Sequence, residues 1–204
     1  MTTAAPPSSR RFVALATAGI LALALTGCTG RGGGQLPPDN VAFSGAASFG
    51  FTFSCEDKGG LNPQPGQLRI ELAYIDHGSN PIGSAFSIHG TADRIDPVLE
   101  SMWCSGQAPP LGDGNELIFL GRYRLTSSAP ALFPRTCPTR ETKKTPLCRF
   151  EVIVRDNDMN RAPSPGDYFS IKLSSATALT SEFEASAVFY ARAGVLSSGN
   201  LTID

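Results

Sequence analysis

Hydrophobic and polar residues alternate with a period of two along most of the chain after residue 41. Every second side chain of an extended strand lies on the same face, so this alternation predicts half-buried β-strands. Apolar side chains hold alternate positions in five runs: Phe49, Phe51 and Phe53; Leu68, Ile70, Leu72 and Tyr74; Leu117, Phe119 and Tyr123; Phe150, Val152 and Val154; Phe169, Ile171 and Leu173. Arg122 and Arg124 occupy the predicted polar face of the third run.

The last part of the chain continues this pattern. Phe183, Ala185, Ala187 and Phe189 share one predicted face, and Val195 to Ile203 forms the final predicted strand. Turn-forming residues such as Asn62-Pro63 separate the runs, and no stretch after the leader keeps helical spacing for three turns. The sequence therefore predicts an all-β fold, an antiparallel β-sandwich of immunoglobulin-like architecture, as one domain over 45–204.

The amino-terminal region has the features of an export signal. Arg10 and Arg11 precede an apolar run from Phe12 to Leu25. As a helix, 14 residues rise only ~21 Å, which is too short for the ~30 Å hydrocarbon core of a bilayer. Residues 1–27 are therefore predicted to be a signal peptide and not a permanent membrane span.

The leader ends in Leu25-Thr26-Gly27-Cys28, which resembles the lipobox of bacterial lipoproteins. The resemblance implies cleavage before Cys28, a thioether-linked diacylglyceryl group on its sulfur and an acyl chain on its freed amine. It also implies anchorage at the outer face of the cell membrane, because two or more acyl chains hold a protein durably on a bilayer. The alternative is an ordinary signal peptide that is cleaved near a cysteine. Ser9-Arg10-Arg11-Phe12 leaves the twin-arginine export route open beside the general one.

Residues 28–44 are predicted to form a lipidated cysteine followed by a flexible linker. Gly30 and Gly32-Gly33-Gly34 favour flexibility, and Pro37-Pro38 stiffens the end of the segment. We expect this segment to tether the domain a few nanometres above the membrane.

The charge balance argues against nucleic acid as a partner. After removal of Arg10 and Arg11, the 177 residues from Cys28 to Asp204 contain 15 basic and 18 acidic residues, for a formal net charge of −3. Lys143-Lys144 is the only adjacent basic pair in this part. A nucleic-acid-binding protein normally carries a basic stripe, so the expected partners are the membrane and an envelope protein or glycan.

The remaining cysteines predict two disulfides. Four cysteines in an exported domain allow three pairings. We favour Cys55–Cys104 and Cys137–Cys148, because the second pair encloses a polar, proline-bounded loop with little apolar packing. A zinc site is the alternative, but the chain has no closely spaced C-x2-C pair.

Four segments resemble the post-COAP domain, an extracellular β-module of secreted actinobacterial proteins. The matching segments are Phe49-Gly50-Phe51, Tyr74-Ile75-Asp76-His77-Gly78, Val154–Asp158 continuing through Pro165–Ile171, and Gly199–Ile203. Their order and spacing agree with FGF, YxD, DNG-x-PG-x-x-DxFxI and GNI-x-I. This chain departs from the family in its 156–162 turn and in its cysteine-bounded insertions. The resemblance implies a β-sandwich accessory module and no activity.

One segment has the composition of a calcium loop. Oxygen-bearing side chains alternate at Asp156, Asp158 and Asn160, and Asp167 follows at the twelfth position. Hard cations bind several such oxygens, so these four residues are the candidate metal ligands. The usual glycine and glutamate are missing, and Asp and Asn also favour plain β-turns. Both interpretations stay open, and no other cofactor is expected.

The sequence does not predict an enzyme. It contains no G-x-S-x-G motif, and its two histidines, His77 and His89, fall at the loop and far end of one predicted hairpin. The preferred function is a non-enzymatic, lipid-anchored binding or structural module of the cell envelope. A ligand- or metal-binding carrier is the first alternative, and a cell-wall-acting enzyme with scattered carboxylates is the second.

Overall fold

The fold is an antiparallel β-sheet. The computed structural model describes residues 28–39, 41–58, 64–92, 116–140, 147–157, 166–177 and 183–203. Nine strands lie in these ranges: β1 Cys28–Leu36, β2 Ala47–Lys58, β3 Gln64–Asp76, β4 Phe86–Thr91, β5 Glu116–Leu125, β6 Cys148–Arg155, β7 Tyr168–Ser174, β8 Val188–Val195 and β9 Ser198–Ile203. A 3-10 turn at Ala185–Ala187 precedes β8, and the described ranges contain no helix long and apolar enough to span a membrane. The all-β prediction is confirmed.

All nine strands belong to one sheet in the order β8-β7-β6-β5-β4-β3-β2-β1-β9, and every pair is antiparallel. The two ends of this order, β8 and β9, are consecutive in the chain and are joined only by Leu196 and Ser197. The Leu196 amide bonds to the carbonyl of Asp167 before β7, and the Ser197 amide bonds to that of Gln35 in β1. The sheet is therefore curled, and the short segment Leu196-Ser197 links the strands at its two ends, β8 and β9.

The interior of the curled sheet is filled by aromatic rings from distant strands. Phe49 of β2 stacks on Phe169 of β7 with ring centroids 3.7 Å apart. Phe119 of β5 contacts both Phe51 and Phe53. The apolar positions predicted to face inward in β2, β3, β5, β6 and β7 are buried wherever they are described, with Ile70, Leu72, Leu117, Val152, Val154, Ile171 and Leu173 among them.

The predicted flexible linker over 28–44 is wrong for residues 28–36. These residues form β1, which pairs with β2 on one side and β9 on the other. The glycines permit a close approach of backbones: a Cβ atom on Gly32 would lie 2.5 Å from the carbonyl oxygen of Asn200. Glycine in this segment therefore serves packing within a sheet and not flexibility.

Two predicted faces also differ from the structure. In the segment 183–189 the inward side chains were expected at odd positions, but β8 begins at Val188 and buries Tyr190 and Arg192. Arg122, expected on a polar outer face, is buried because its guanidinium donates to the carbonyl oxygens of Leu147 and Thr177. In both places alternation fails because a charged side chain is held by partners distant in sequence.

Candidate functional site

The residue expected to carry the lipid, Cys28, is the first residue of β1. Its Cα atom lies opposite that of Cys55 in β2, at the end of the sheet where β9 also ends. The opposite end of β1, at Leu36, lies beside Ala47 of β2, which in turn pairs with Asp76 of β3. We call the first of these the Cys28 end of the sheet. The second is the loop end, which carries the connections 37–46 and 77–85.

The most unusual arrangement of side chains is a buried polar cluster at the loop end, formed by Tyr74, Asp76, Tyr190 and Arg192. Asp76 is fully buried and Arg192 is 4% exposed. Nη1 of Arg192 lies 3.2 Å from Oδ2 of Asp76 as an ion pair without hydrogen-bond geometry. A buried charge is costly unless it is paired and hydrogen-bonded, so this pair depends on further hydrogen bonds from the residues around it.

A chain of hydroxyl groups completes the environment of Asp76. Tyr190 donates its hydroxyl hydrogen to Oδ2 of Asp76 at 2.7 Å. The hydroxyl oxygens of Tyr190 and Tyr74 are 2.5 Å apart, and Tyr74 is the donor because the Tyr190 hydrogen is already used. Oδ1 of Asp76 accepts the backbone amide of Gly78 at 3.2 Å. Hydrogen bonds from the protein thus take the place of the water that an exposed carboxylate would bind.

Arg192 also holds the loop that connects β1 to β2. Its Nη2 donates to the carbonyl oxygens of Pro37 at 2.9 Å and Gly45 at 2.8 Å. Its guanidinium lies 4.5 Å from the ring centroid of Phe43. One buried side chain therefore fixes both ends and the middle of this loop.

The same loop is ordered from within by Asp39. Its Oδ1 accepts the backbone amides of Val41, Ala42 and Phe43 at 2.8–2.9 Å. These bonds, that from Phe43 foremost, hold the pKa of Asp39 below its ordinary value. The described residues of the 37–46 loop are consequently held by defined hydrogen bonds.

The buried polar cluster has the properties of a structural site and not of a catalytic one. Burial raises the pKa of Tyr74 and of Tyr190 far above the ordinary tyrosine value, so both hydroxyls stay protonated. Such hydroxyls do not serve as bases or nucleophiles near neutral pH. The geometry joins β3, β8 and the 37–46 loop.

The two histidines lie where the sequence placed them, at the loop and at the far end of one hairpin. The ring of His77 hydrogen-bonds the hydroxyl of Ser48, and His89 contacts Glu71 with Nε2 2.8 Å from Oε2. Asp76, the residue next to His77, points to the interior and serves Arg192. Asp76 therefore completes neither a Ser-His-Asp triad nor a metal pair with His77.

The predicted calcium segment is described only in part, because Asp158 and Asn160 lie outside the described residues. Both carboxylate oxygens of Asp167 accept backbone amides, Oδ1 from Asn157 at 3.1 Å and Oδ2 from Leu201 at 2.8 Å. Asn157 donates its side-chain amide to the Gly166 carbonyl at 2.7 Å. Asp156 is 7% exposed. In the described part of the segment, these bonds tie the β6–β7 connection to β9, and the described residues contain no group of three metal-ligating side chains. Calcium remains a prediction.

The disulfide between Cys137 and Cys148 is confirmed, with Cα atoms 5.3 Å apart. Beneath it, the hydroxyl of Tyr123 donates to the carbonyl of Ser174 at 3.2 Å and lies 3.4 Å from the sulfur of Cys137. The bridge is therefore packed against the core. The predicted partner of Cys55, Cys104, lies outside the described residues, as does the predicted signal peptide.

Comparison with known protein families, with curated proteins and with solved structures finds no match to this chain. The resemblance to post-COAP domains therefore remains an expectation from the sequence.

Sequence reasoning missed Arg192 as the centre of the polar cluster. A signal was present in β3, where the inward series Ile70, Leu72 and Tyr74 continues in phase to Asp76. An acidic residue at an inward position requires a buried partner, and alternation alone does not say which strand supplies it.

Proposed function

We propose that this protein is a lipid-anchored module of the cell envelope, attached through Cys28 to the outer face of the cell membrane, with a non-enzymatic binding or structural role. The observation that carries the proposal is the lipobox-like Leu25–Cys28 motif behind a short apolar run. Cys28, the residue at which cleavage would start the mature chain, belongs to the first described strand. Predicted processing therefore leaves all nine described strands in the mature protein.

We also infer an immunoglobulin-like β-sandwich as the finer architecture. Ring contacts between β2 and β7 and between β3 and β8 support it, because inward side chains of the two halves of the sheet meet across one core. The post-COAP resemblance points to the same architecture.

A filled interior favours the module over a ligand carrier. Phe49, Phe119, Phe150 and Phe169 are buried and in ring contact with other core aromatics. Interior space in the described part of the sheet is thus used for packing, which is what a structural or surface-binding module requires.

The test is the covalent state of Cys28 in protein purified from membranes. Intact mass should show a mature chain that starts at Cys28 and carries acyl chains, and Cys28→Ala should give an unacylated precursor that is uncleaved or misprocessed. An acyl-free wild-type chain contradicts the proposal. A Cys28–Cys55 disulfide in non-reducing peptide maps would contradict it too, since the register places these two residues opposite each other.

The binding role is tested separately by cross-linking in native membranes followed by mass spectrometry of what is captured. The acylated wild type is compared with a form that starts at Thr29 behind an ordinary cleavable signal peptide, so that partners encountered only at the membrane are separated from those bound in solution. Absence of any reproducible partner would reduce the module to a structural role.

A further inference from the structure

We propose that the outer edge of β8 pairs with β8 of a second copy of this chain, so that two sheets join through one antiparallel pair of strands. The inference goes beyond the proposed binding role, because it names both the surface and the partner. It does not depend on a lipid at Cys28. Its evidence is the hydrogen bonding at the two edges of the described sheet, β8 and β9.

At the β8 edge, backbone groups point away from the sheet. The Leu196 amide bonds to the carbonyl oxygen of Asp167, in register with the pairing of β7 and β8. In an antiparallel ladder only every second residue turns its backbone groups to a given neighbour. Ala191, Ala193 and Val195 are out of phase with Leu196, so their amides and carbonyls face the outer edge. Within the described ranges these groups have no hydrogen-bond partner, and the three residues are exposed.

The other edge of the sheet, β9, is blocked by side chains. The Leu201 amide donates to Oδ2 of Asp167 at 2.8 Å, so it points away from β1. The Leu201 carbonyl oxygen accepts the side-chain amide of Asn200 at 3.2 Å. Leu201 itself is 2% exposed. Both edge-facing groups in the middle of β9 are therefore occupied, which is one way in which proteins prevent strand addition.

Residues 191–195 of β8 carry no such block. Natural edge strands are kept apart by lysine, proline, a bulge or an unpaired inward charge. The outward side chains of this segment are two alanines and a valine, and the strand contains no proline. Its register shift against β7 lies at the start of the strand, before Tyr190. Its charged residue, Arg192, points inward and is paired with Asp76. The segment is thus a regular and neutral edge.

A second copy fits this edge, because two identical antiparallel strands are related by a two-fold axis. With the axis at Ala193, that residue lies opposite its own counterpart, and Ala191 lies opposite Val195 of the second copy. Each such pair exchanges two hydrogen bonds, which gives about six in all. Arg192 then lies opposite Gly194 of the second copy, which has no side chain. An axis at Arg192 would instead place two arginines side by side, which like-charge repulsion disfavours.

The outer face next to β8 also matches itself across this axis. One row of residues crosses β5 to β8 on the side away from the core: Ile118, Ile153, Ser170 and Ala193. With Ala193 on the axis, the uncharged row continues into the same row of the second copy. The nearby charges of Glu151 and Lys172 are paired with each other at 2.6 Å. The two copies therefore meet without opposing like charges.

The experiment measures the oligomeric state of the mature chain, purified as the cell processes it and kept in non-denaturing detergent. Sedimentation over a roughly hundredfold range of concentration should show a monomer–dimer equilibrium. Ala193→Lys places two lysines together on the axis, so it should weaken the dimer by about tenfold or more. Ala73→Lys is the matched control, because Ala73 is equally exposed but lies on β3, which has strands on both sides. It should leave the equilibrium unchanged, and melting curves show that both variants fold.

A cysteine at the same position gives a second measurement. Cα atoms of a hydrogen-bonded antiparallel pair lie about 5.5 Å apart, which is within the range of a disulfide. Mild oxidation should therefore join two copies of Ala193→Cys through a reducible bond. Ala73→Cys should stay monomeric under the same conditions.

A wild type that sediments as a monomer at every concentration overturns the inference. A dimer that Ala193→Lys leaves intact also overturns it, because the interface would then lie elsewhere. Cross-linking of Ala193→Cys to a different protein in native membranes would assign the β8 edge to that protein and overturn the pairing of two copies. None of these results changes the acyl content of Cys28, so the proposed function is tested separately.

Discussion

Arg192 and Asp76 form an ion pair inside the curled sheet, with side chains that are 3% and 0% exposed. The pair joins β8 to β3. Tyr190 and the Gly78 amide donate to Asp76, and Nη2 of Arg192 donates to the carbonyl oxygens of Pro37 and Gly45. Desolvation of two charges offsets much of their attraction, so the net contribution of such a pair is modest. Removal of one partner is expected to destabilise the fold strongly, because the other charge would remain buried without its partner.

Arg192→Met should therefore destabilise the fold strongly. Breaking a buried pair from one side costs about 3–5 kcal/mol, a fall in Tm on the order of 10 °C for a domain of this size. The double variant Asp76→Leu with Arg192→Met should lose less than the single one, since no charge is stranded. Thermal and urea unfolding of the wild type, the Asp76→Leu and Arg192→Met single variants and the double variant measures this, and additive losses would contradict a coupled pair.

Gly32→Ala tests whether β1 is an integral strand. The new Cβ would lie 2.5 Å from the carbonyl oxygen of Asn200 and 2.9 Å from the Cα atom of Leu201, both of which are backbone atoms. Overpacking of this kind costs about 1–3 kcal/mol. Gly50→Ala is the matched control, because its Cβ would meet only the Gly32 carbonyl at 3.9 Å. Equal stability of the two variants in urea would instead indicate a loose tether.

The pair Cys137→Ser with Cys148→Ser should lower the free energy of unfolding by about 3 kcal/mol, the value that the chain-entropy model gives for a short loop. Non-reducing peptide maps of the wild type should show Cys137 linked to Cys148 and Cys55 linked to Cys104. Crossed linkages would refute the pairing. Unchanged stability of the double variant would show that the Tyr123 contacts alone hold this region.

Stability should fall steeply above pH 10. Burial raises the pKa of Tyr74, Tyr123 and Tyr190 in the folded protein, whereas tyrosine in the unfolded chain titrates near 10. The stabilisation is thus fully present below pH 10 and is lost as the pH rises above it, since only the unfolded state releases the protons. Absorbance of tyrosinate at alkaline pH should rise together with loss of β-sheet circular dichroism. Ionisation of these three residues before unfolding would contradict their burial.

Calcium binding is tested by its effect on the melting curve. If Asp156, Asp158, Asn160 and Asp167 bind the ion in the folded state only, a hundredfold excess over Kd should add ~2.7 kcal/mol. That corresponds to a rise in Tm on the order of 8 °C. Asp156→Ala should abolish the shift. An unchanged melting curve at millimolar calcium would contradict calcium binding. The role of Asp167 would then be structural, through the hydrogen bonds it accepts from Asn157 and Leu201.

The sequence predicted most strands because their inward residues are apolar and regularly spaced. Phe49, Phe51 and Phe53 in β2 show this, as they are all buried. It failed at β1, where Gly32 and Gly34 have no side chains and thus no alternation to read. It also failed at Arg192, because a buried arginine is recognised only from partners that folding brings near. Local sequence patterns show which face of a strand is buried. Contacts between residues distant in sequence decide where a glycine or a charged residue can stand at a buried position.

The pairing of β1 with β9 has a consequence for the order in which the sheet forms. Gly30 of β1 lies opposite Ile203 of β9, so one neighbour of the first described strand is separated from it by most of the chain. Contacts of such large sequence separation form late and slowly. The pairing of β1 with β2 is local and can form early, so one edge of β1 stays open until β9 has folded against it.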